Sequence, residues 1–518
     1  MTKEDLEVAE KELYMGYSSL EEAMADYEYT SQAEALARML ARENVFLSGP
    51  AGSGKSHLVT TFVNLLEKQF GNTVEIAITA TTGLAATNIG GRTIHSWSGV
   101  GIKRHVPFRT AARAPKWIPE TDVLIIDEIS MMPAYYLDLV NKACQIAKRN
   151  DRPFGGIQVI FLGDFLQLPP VPSREAAEEG LDQRFAVFSD AWTEAEIKSC
   201  YLDKTKRSTD PDLTRVLTDM AEGTITQETV DLVRQRRTGL VEPDEDKTYA
   251  KLYTTNERVD AKNQEELRKN PNREHRFYSE ITPLGTMSKK IMEFVKNAQK
   301  NIPDYVALKE GATVMVTRNG MYSSVTEDFG VGDEVYVPNG SIGSVVSIGL
   351  PGRTSRFSSM NDKVYVKLNT GDIVAVDYVL DSKEEYVKIG EDKDGKPITK
   401  ERPVLSIKFM PLKLAYAITI HKSQGQTLDG VIVDLSKCFV AGLGYVALSR
   451  VRQLDDMIVS DLNQKSFAMD EDGRKFMHAT KISAKQEREE FKKNIEYYHN
   501  LLKDEDALFE EWKEIVTN

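Results

Sequence analysis

The chain has 518 residues, of which 41% are hydrophobic and 28% are charged, and its formal net charge at pH 7 is −13. At roughly 100–200 residues per domain, this length predicts about three or four domains with ordinary globular cores. The acidic balance argues against a protein that coats duplex DNA, but it allows one that holds a single strand in a local basic groove. Three separated cysteines without a Cys-x-x-Cys pair disfavour a zinc site or a disulfide framework and fit a reducing compartment.

The start of the chain, MTKEDLEVAEKELY, is acidic and lacks the apolar core of a signal peptide. No run of about 18 apolar residues is present, so we expect neither a membrane span nor a membrane partner. We expect a cytoplasmic protein, associated with the nucleoid or, if viral, found in the host-cell cytoplasm. One segment departs from the acidic average, because residues 103–116 carry only basic charges: Lys103, Arg104, Arg109, Arg113 and Lys116.

Residues 1–28 are predicted to form an acidic helical extension, and a different pattern begins at Val45. Four short apolar runs, NVFLSG, VEIAITA, DVLIIDE and QVIFLGD, alternate with helical stretches. Their apolar character is continuous rather than alternating, which is typical of strands buried on both faces of a parallel sheet. A helix is predicted after the first run, from Ser56 to Phe70, and Gly71 ends it.

Further along the chain, AKLYTTNE and GVIVDLS again have the character of buried strands and predict a second parallel sheet. Between them, residues 285–410 contain Val-rich runs that alternate in polarity and are separated by Gly or Asn turns. This pattern predicts a small antiparallel barrel inserted into the second sheet domain. The tail places Phe491, Ile495, Tyr498 and Leu502 at helical spacing, and packing of this amphipathic helix against the body is favoured over a partner-binding coil.

The segment GPAGSGKS matches G-x-x-x-x-G-K-[ST] and lies between a predicted strand and a predicted helix. The glycines allow backbone N–H groups to surround the phosphates of a nucleotide, and the helix N-terminus adds positive potential. We expect Lys55 to neutralise the β and γ phosphates and the Ser56 hydroxyl to bind Mg²⁺. The predicted ATP-binding residues of this loop are Gly49, Pro50, Ala51, Gly52, Ser53, Gly54, Lys55 and Ser56.

Two carboxylates, Asp127 and Glu128, follow the buried run VLIID. Asp127 is predicted to hold Mg²⁺, and Glu128 to orient or deprotonate the attacking water. The alternative is that Glu128 only caps the next helix. Gln167, in the loop GDFLQLPP after the next strand, is a candidate sensor of the γ-phosphate or the water, although a loop glutamine is more often only solvated.

Several segments together resemble superfamily 1 DNA helicases of the Pif-one type, with the phage helicase Dda and RecD as more distant relatives. In chain order they are GPAGSGKS, TATTGLAATNIGGRTIHS, DEISMM, PFGGIQVIFLGDFLQLPPV, LYTTNERVDAKN, LAYAITIHKSQGQTLD and VALSRVR. They follow the order of the family and extend over residues 29–460. The stretch from Asp127 to Val171 resembles the signature that separates the Pif-one branch from its relatives.

The resemblance implies an α/β fold of two RecA-like P-loop domains with parallel sheets. It also implies a small wedge insertion in the first domain and an SH3-like β-barrel insertion in the second. The expected domains are the acidic extension at 1–28, the first RecA-like domain at 29–198 with the wedge at 97–118, the second RecA-like domain at 199–284 and 411–465, the barrel at 285–410 and a charged helical C-terminal tail at 466–518.

The resemblance also implies further residues of the ATP site. Gln32 matches the glutamine that reads the adenine edge, and Gln167 matches the γ-phosphate sensor. Gly425 matches another γ-phosphate contact.

Two arginines, Arg207 and Arg450, match the arginine fingers that the second domain of the family contributes. Guanidinium groups that reach the γ-phosphate stabilise charge in the transition state and couple hydrolysis to domain closure. Ser208 stands where most relatives have glutamine, which is closer to Dda. The implied catalytic residues are Lys55, Asp127, Glu128, Gln167, Arg207 and Arg450.

The DNA track of the family maps onto small polar side chains, which suit contacts with phosphate and sugar that carry no sequence preference. Trp97 and the basic segment lie where the family inserts its wedge, and aromatic or basic groups there could stack on a base or split the duplex. A solvated basic loop is the alternative for that segment. The implied DNA-binding residues are Thr81, Thr82, Thr93, His95, Ser96, Trp97, Thr254, Asn256, Thr419, His421 and Ser423.

Together these expectations describe an ATP-dependent helicase that moves on single-stranded DNA, 5′→3′ by resemblance, and unwinds forked duplex DNA in replication, recombination or repair. ATP and Mg²⁺ are the expected cofactors, and single-strand-binding or replication proteins are candidate partners. Three alternatives stay open: a RecD-like subunit of a recombination complex, a DNA-independent P-loop ATPase that remodels protein, and a non-catalytic DNA-binding module.

Overall fold

The computed structural model describes residues 30–101, 105–203, 205, 208–244, 249–284, 291–292, 295–296, 298–299, 302–318, 320–326, 330–337, 339–349, 363–391 and 397–503. The acidic extension predicted at residues 1–28 lies outside these ranges, as do Arg207, two basic residues of the predicted wedge (Lys103 and Arg104) and the last part of the predicted tail. The chain divides into two compact units, of which one runs to Thr255 and resumes at Thr419, and the other is Asn256–Ile418.

The first unit begins with an α/β layer whose six strands are all parallel. Its elements are α1 (Thr30–Leu40), β1 (Val45–Ser48), α2 (Lys55–Phe70), β2 (Ile76–Ala80), α3 (Gly83–Asn88), β3 (Arg92–Thr93), α4 (Ile94–Trp97), β4 (Val123–Asp127), α5 (Ala134–Lys148), β5 (Gln158–Leu162), α6 (Arg174–Glu178), α7 (Asp190–Glu194) and β6 (Lys198–Tyr201). The strand order is β3-β2-β4-β5-β1-β6.

Burial explains why the strand runs are continuously apolar. Every residue of β1 and β5 is buried, because helices cover both faces of a parallel sheet. Between β1 and α2 the chain forms the predicted glycine-rich loop. The helix α2 ends as predicted at Gly71, whose φ of 56° is left-handed and whose N–H donates to the carbonyl of Glu67.

Three elements lead from the first sheet toward the second: α8 (Pro211–Glu222), α9 (Gln227–Gln235) and β7 (Tyr249–Tyr253). The start of α8 is fixed locally, because the Asp210 carboxylate accepts from the N–H groups of Asp212 and Leu213. Pro211 supplies a first helical residue that needs no partner for its nitrogen, and Gly223 ends the helix with a φ of 73°.

The second unit is built from antiparallel strands that follow one helix. Its elements are α10 (Asn256–Lys269), β8 (His275–Tyr278), β9 (Glu280–Pro283), β10 (Tyr305–Leu308), β11 (Thr313–Val316), β12 (Gly320–Val325), β13 (Val331–Val337), β14 (Ile342–Ile348), β15 (Val364–Leu368), β16 (Ile373–Val376), β17 (Val379–Glu391), β18 (Pro397–Phe409) and β19 (Leu412–Leu414). Seven strands form one sheet in the order β13-β12-β16-β15-β14-β11-β19, and β17-β18-β9 form another. Alternating strands such as β14 bury every second side chain in the core of this unit.

The first unit resumes at the end of β20 (Ala417–Thr419). The elements that follow are α11 (Ile420–Ser423), β21 (Gly430–Leu435), α12 (Leu443–Leu448), β22 (Met457–Leu462), α13 (Glu471–Lys493) and α14 (Ile495–Lys503). Strands β7, β21 and β22 pair in parallel and form a second α/β layer. The predicted fold class, α/β with two parallel sheets and an antiparallel insertion, is therefore confirmed.

The tail is a long helix followed by a short one, and both pack on the first layer. Among the described residues, α13 packs along the edge strand β6 and, like α14, contacts α1. Gly473 lets α13 approach closely, because a Cβ there would lie 2.2 Å from the carbonyl oxygen of Phe165. None of the described helices is both long and apolar enough to cross a bilayer.

Candidate active site

The phosphate-binding loop follows the buried strand β1 and ends where α2 begins. Three of its glycines, Gly49, Gly52 and Gly54, have positive φ angles of 150°, 79° and 95°. At Gly49 a Cβ would lie 2.7 Å from the carbonyl oxygen of Leu202, so only glycine fits. The loop therefore has the conformation that exposes backbone N–H groups to an anion at the start of a helix.

Lys55 is held inside this loop by its own ammonium group. Its Nζ donates to the carbonyl oxygens of Gly49 at 2.7 Å and Pro50 at 3.1 Å. These contacts keep a positive charge within the curve of the loop. Ser56, in the first turn of α2, is exposed toward the same space.

A cavity of about 470 Å³ lies over the loop and is bounded by both α/β layers of the first unit. The first layer contributes the loop and its neighbouring strand ends, and the second contributes the segments after α11 and α12. The lining residues are Ala51, Gly52, Ser53, Gly54, Lys55, Ser56, His57, Ala85, Asp127, Glu128, Gly163, Gln167, Gly425, Thr427, Arg450 and Arg452.

The two predicted carboxylates stand at the end of β4, next to the loop. Burial and the adjacent charge of Glu128 raise the pKa of Asp127 to about 7, against the opposing influence of Lys55. Burial also raises the pKa of Glu128, and the Asp164 carboxylate adds to this. Three acidic groups thus share a buried space, which favours a cation as an additional occupant.

The donor set suits Mg²⁺ bound together with phosphates. Ser56 and Asp127 offer the hydroxyl and carboxylate oxygens that Mg²⁺ prefers. The described residues contain no group of three or more His, Cys, Asp or Glu side chains arranged to hold a metal alone. Mg²⁺ usually keeps several waters and shares substrate phosphates, so such a group is not required.

Gln167 lies on the cavity wall in a loop fixed by its neighbours. Its backbone N–H donates to the carbonyl of Asp164 at 2.9 Å, and the side chain is 5% exposed. Its Oε1 has no hydrogen-bond partner among the described residues. Gly442 allows the second layer to meet this loop, because a Cβ there would lie 2.6 Å from the Gln167 carbonyl oxygen.

The adenine-reading candidate, Gln32, lies on α1 and is 3% exposed. Its Nε2 donates to the carbonyl oxygen of Ser53 at 3.4 Å, so it touches the phosphate-binding loop itself. Sequence spacing gave no reason for this closeness, because the two residues lie in separate elements. The contact places Gln32 beside the nucleotide cavity.

The second layer contributes Arg450 and Gly425. Arg450 is 1% exposed, and its Nη1 donates to the carbonyl oxygens of Ser423 at 3.3 Å and Gln426 at 3.1 Å. Its Nε donates to the carbonyl of Val446 at 2.7 Å. The guanidinium is thus rigidly held at the cavity wall. Arg207, the other predicted finger, lies outside the described residues.

The predicted DNA contacts include two similar turns, one in each α/β layer. Thr93 and Thr419 each end a short strand and cap a four-residue helix by accepting from a backbone N–H. In both turns the next residue is a buried isoleucine, followed by a half-buried histidine, His95 or His421. Burial lowers the pKa of both histidines, which favours neutral rings that can donate one hydrogen bond.

The remaining predicted DNA contacts differ in accessibility. Ser96 and Asn256 are exposed. Thr81 donates to the carbonyl of Glu128 at 3.0 Å, and Thr82 accepts from the N–H of Ala85 at 3.2 Å. Thr254 is 2% exposed, with a hydroxyl that lacks a hydrogen-bond partner among the described residues.

Four of the predicted DNA contacts are buried, namely Trp97, Thr254, Thr419 and Ser423. Trp97 is 2% exposed because Ile94 and Trp97 lie one turn apart on the inner face of α4, so no ring face is available to stack on a base. Ser423 is fully buried, and its hydroxyl donates to the carbonyl of Ile420 at 2.8 Å. In the predicted wedge, Trp117 is the exposed indole at 39%, and Arg92 lies over its ring.

Several residues of the site were not selected from the sequence, and three of them bear directly on its chemistry. Gln424 Nε2 donates to Glu128 Oε2 at 3.0 Å, Asp164 is buried behind Gln167, and Arg452 lines the cavity. Gln424 precedes the predicted contact Gly425, which was the available signal. Asp164 and Arg452 likewise adjoin predicted motifs, but charge alone does not separate them from surface residues.

Comparison with known proteins agrees with this geometry. Residues 30–245 match the family model described as PIF1-like helicase. The chain is 33% identical to the ATP-dependent DNA helicase Pif1 of Psychrobacter over 85% of its own length and 69% of that protein. This chain belongs to the PIF1-like helicase family.

Two further similarities extend the comparison. The chain is 31% identical to the ATP-dependent DNA helicase RRM3 of Saccharomyces cerevisiae, over 81% of its length and 62% of that protein. It therefore spans about two thirds of these curated relatives. The structure of Bacteroides Pif1 helicase in complex with ADP-AlF3 and single-stranded DNA is similar with a TM-score of 0.66 and 28% identity, covering 85% of this chain and 94% of that one.

Proposed function

We propose that this chain is an ATP-dependent DNA helicase that translocates 5′→3′ on single-stranded DNA and separates forked duplex DNA. The observation that supports this is a nucleotide cavity bounded by both α/β layers, with the phosphate-binding loop on one side and Gly425 and Arg450 on the other. A change at the γ-phosphate would therefore act on both layers at once. Replication, recombination or repair in the cytoplasm is the corresponding setting.

Hydrolysis at this site transfers the γ-phosphoryl group to water. The water oxygen bonds to phosphorus, the bond to the bridging oxygen of ADP breaks, and Glu128 accepts the water proton. Lys55 and Arg450 stabilise the negative charge of the phosphates, and Gln167 orients the water. Mg²⁺, held by Ser56 and Asp127, would neutralise further phosphate charge.

The paired Thr-Ile-His turns favour a DNA-driven motor over a DNA-independent remodelling ATPase. Each turn supplies a threonine and a histidine from one α/β layer, as two alternating grips on a strand require. The exposed Trp117 with Arg109, Arg113 and Lys116 offers an aromatic and basic surface for the separated strand.

A strand-displacement assay with 5′-tailed, 3′-tailed and blunt duplexes tests the proposal. We expect ATP-dependent displacement of the 5′-tailed duplex alone, and ATP hydrolysis that single-stranded DNA stimulates. Displacement of only the 3′-tailed duplex would reverse the polarity. Hydrolysis that is indifferent to DNA would support the remodelling ATPase instead.

A further inference from the structure

The carboxylate of Glu128 is restrained by a side chain from the other α/β layer. Gln424 Nε2 donates to Glu128 Oε2 at 3.0 Å, and the two residues are 6% and 8% exposed. The amide must be the donor, because an ionised carboxylate only accepts. The predicted general base is therefore bonded to a residue of the segment that follows α11.

The backbone of Glu128 is held in place, so only its side chain can change orientation. Its φ of 54° and ψ of 40° lie in the left-handed region, which is costly for a residue with a Cβ. The Thr81 hydroxyl donates to its carbonyl at 3.0 Å and fixes the peptide. Because the backbone is held, the bond to Gln424 decides where the carboxylate points.

Gln424 is also tied to the predicted DNA contacts Thr419 and His421. It caps the C-terminus of α11, a single turn that begins after Thr419. The carbonyl of Ser423, the last residue of that turn, accepts from Arg450 at 3.3 Å. The backbone N–H of Gln424 donates to the carbonyl of His421, so a displacement of this turn by a bound strand would also displace the Gln424 amide.

We propose that Gln424 is a positioning residue that holds Glu128 away from the attacking water until DNA bound at α11 draws the amide away. This inference rests on the proposed function, since it needs both the hydrolytic role of Glu128 and a DNA contact at α11. The hydrogen bond occupies a lone pair of Oε2 and holds the carboxylate toward the second layer, so this oxygen is not oriented to accept the water proton. DNA thus switches on hydrolysis by removing a restraint.

The test is Gln424→Met, which keeps the length of the side chain and removes the amide donor. We expect kcat of ATP hydrolysis without DNA to rise about tenfold, the worth of one hydrogen bond to a charged group. The KM for ATP and the rate with saturating single-stranded DNA should stay close to the wild-type values. Gln424→Asn, which is one methylene shorter and loses the contact, should behave in the same way.

Gln426→Met is the matched control, because this glutamine lies two residues away and, among the described residues, its hydrogen bonds are made by its backbone carbonyl and N–H. It should leave the DNA-free rate unchanged. An unchanged or lower DNA-free rate in Gln424→Met, with the fold intact by thermal unfolding, would overturn the inference. If the wild-type protein is not stimulated by DNA at all, the proposed function itself fails, which separates the two cases.

Discussion

The first unit contains two groups of charged side chains, each partly buried, whose hydrogen-bond partners differ in kind. The nucleotide cluster lies at the cavity, and the tail cluster lies beneath the C-terminal helices. The nucleotide cluster consists of Lys55, Asp127, Glu128, Asp164 and Arg450. The tail cluster consists of Glu34, Arg38, Glu43, Asp203 and Arg488.

In the tail cluster the charged groups meet charged partners. Arg488 bonds Glu34 through Nε at 2.9 Å and Asp203 through Nη1 at 2.9 Å. Arg38 bonds the other Glu34 oxygen at 3.3 Å and Glu43 at 2.6 Å. This network joins α1, the end of β6 and α13, so it fastens the tail to the first α/β layer.

In the nucleotide cluster both cations donate to backbone carbonyls. Lys55 is bonded to its own loop, and Arg450 to the segments around α11 and α12. Amide oxygens of Gln167 and Gln424 lack partners among the described residues. Buried polar atoms usually have hydrogen-bond partners, so the unpaired amide oxygens of the nucleotide cluster indicate that a ligand binds there rather than at the tail cluster.

The largest expected effect comes from Lys55→Ala. Removing the ammonium from the loop should lower kcat of ATP hydrolysis by about 10³-fold, because it stabilises the phosphate charge that develops in the transition state. Phosphate release with saturating single-stranded DNA measures this. Thermal unfolding should change little, since Lys55 contributes contacts within one loop. A variant that still unwinds DNA at the wild-type rate would remove the nucleotide cluster from the mechanism.

Substitutions in the tail cluster should change the free energy of unfolding rather than the rate of ATP hydrolysis. Arg488→Met leaves the buried Glu34 carboxylate with one partner fewer and should reduce the free energy of unfolding by about 3–5 kcal/mol. Denaturant unfolding followed by circular dichroism measures this loss.

The matched control for the tail cluster is Arg174→Met, which breaks the exposed pair with Glu178. The two side chains of that pair are 91% and 63% exposed, so the change should cost less than about 1 kcal/mol. Equal losses in the two variants would show that the tail cluster is not the fastening point.

The sequence predicted the nucleotide cluster better than the tail cluster for a physical reason. The loop, Asp127 and the strands around them follow from local patterns: glycine spacing, continuous apolar runs and charges at strand ends. Arg488 and Glu34 are 454 residues apart, and nothing local pairs them. The role of Trp97 was implied by the family resemblance, and its burial could not be predicted because the packing of the inner face of α4 depends on the tertiary structure.

Asp127→Asn should separate function from stability within the nucleotide cluster. The pKa of Asp127 is raised to about 7, so the folded protein binds this proton more tightly than the unfolded chain. The wild-type protein therefore loses stability as pH rises from the ordinary range of aspartate through 7, and the variant avoids that loss. At pH 8 without nucleotide, we expect the variant to be more stable by about 2 kcal/mol, although hydrolysis is lost.

At pH 4 the stability advantage of Asp127→Asn should disappear, because Asp127 is then protonated in the folded state of the wild-type protein. Denaturant unfolding at the two pH values measures the difference. A variant that is less stable at both pH values would show that burial of the charged Asp127 carboxylate does not destabilise the protein.

The smallest effects are expected from removing two buried tyrosine hydroxyls, each of which donates to a carboxylate of one cluster. Tyr498 donates to Glu43, and Tyr445 donates to Asp164 at 3.4 Å. Tyr498→Phe should lower the free energy of unfolding by about 1 kcal/mol, because it breaks a network whose other members stay paired. Tyr445→Phe should cost less stability, since its bond to Asp164 is long. Tyr445→Phe should instead alter the ATPase rate, because Asp164 lies beside the loop of Gln167. If Tyr445→Phe lowered stability more than Tyr498→Phe and left the ATPase rate unchanged, the assignment of the two clusters to catalysis and to stability would be wrong.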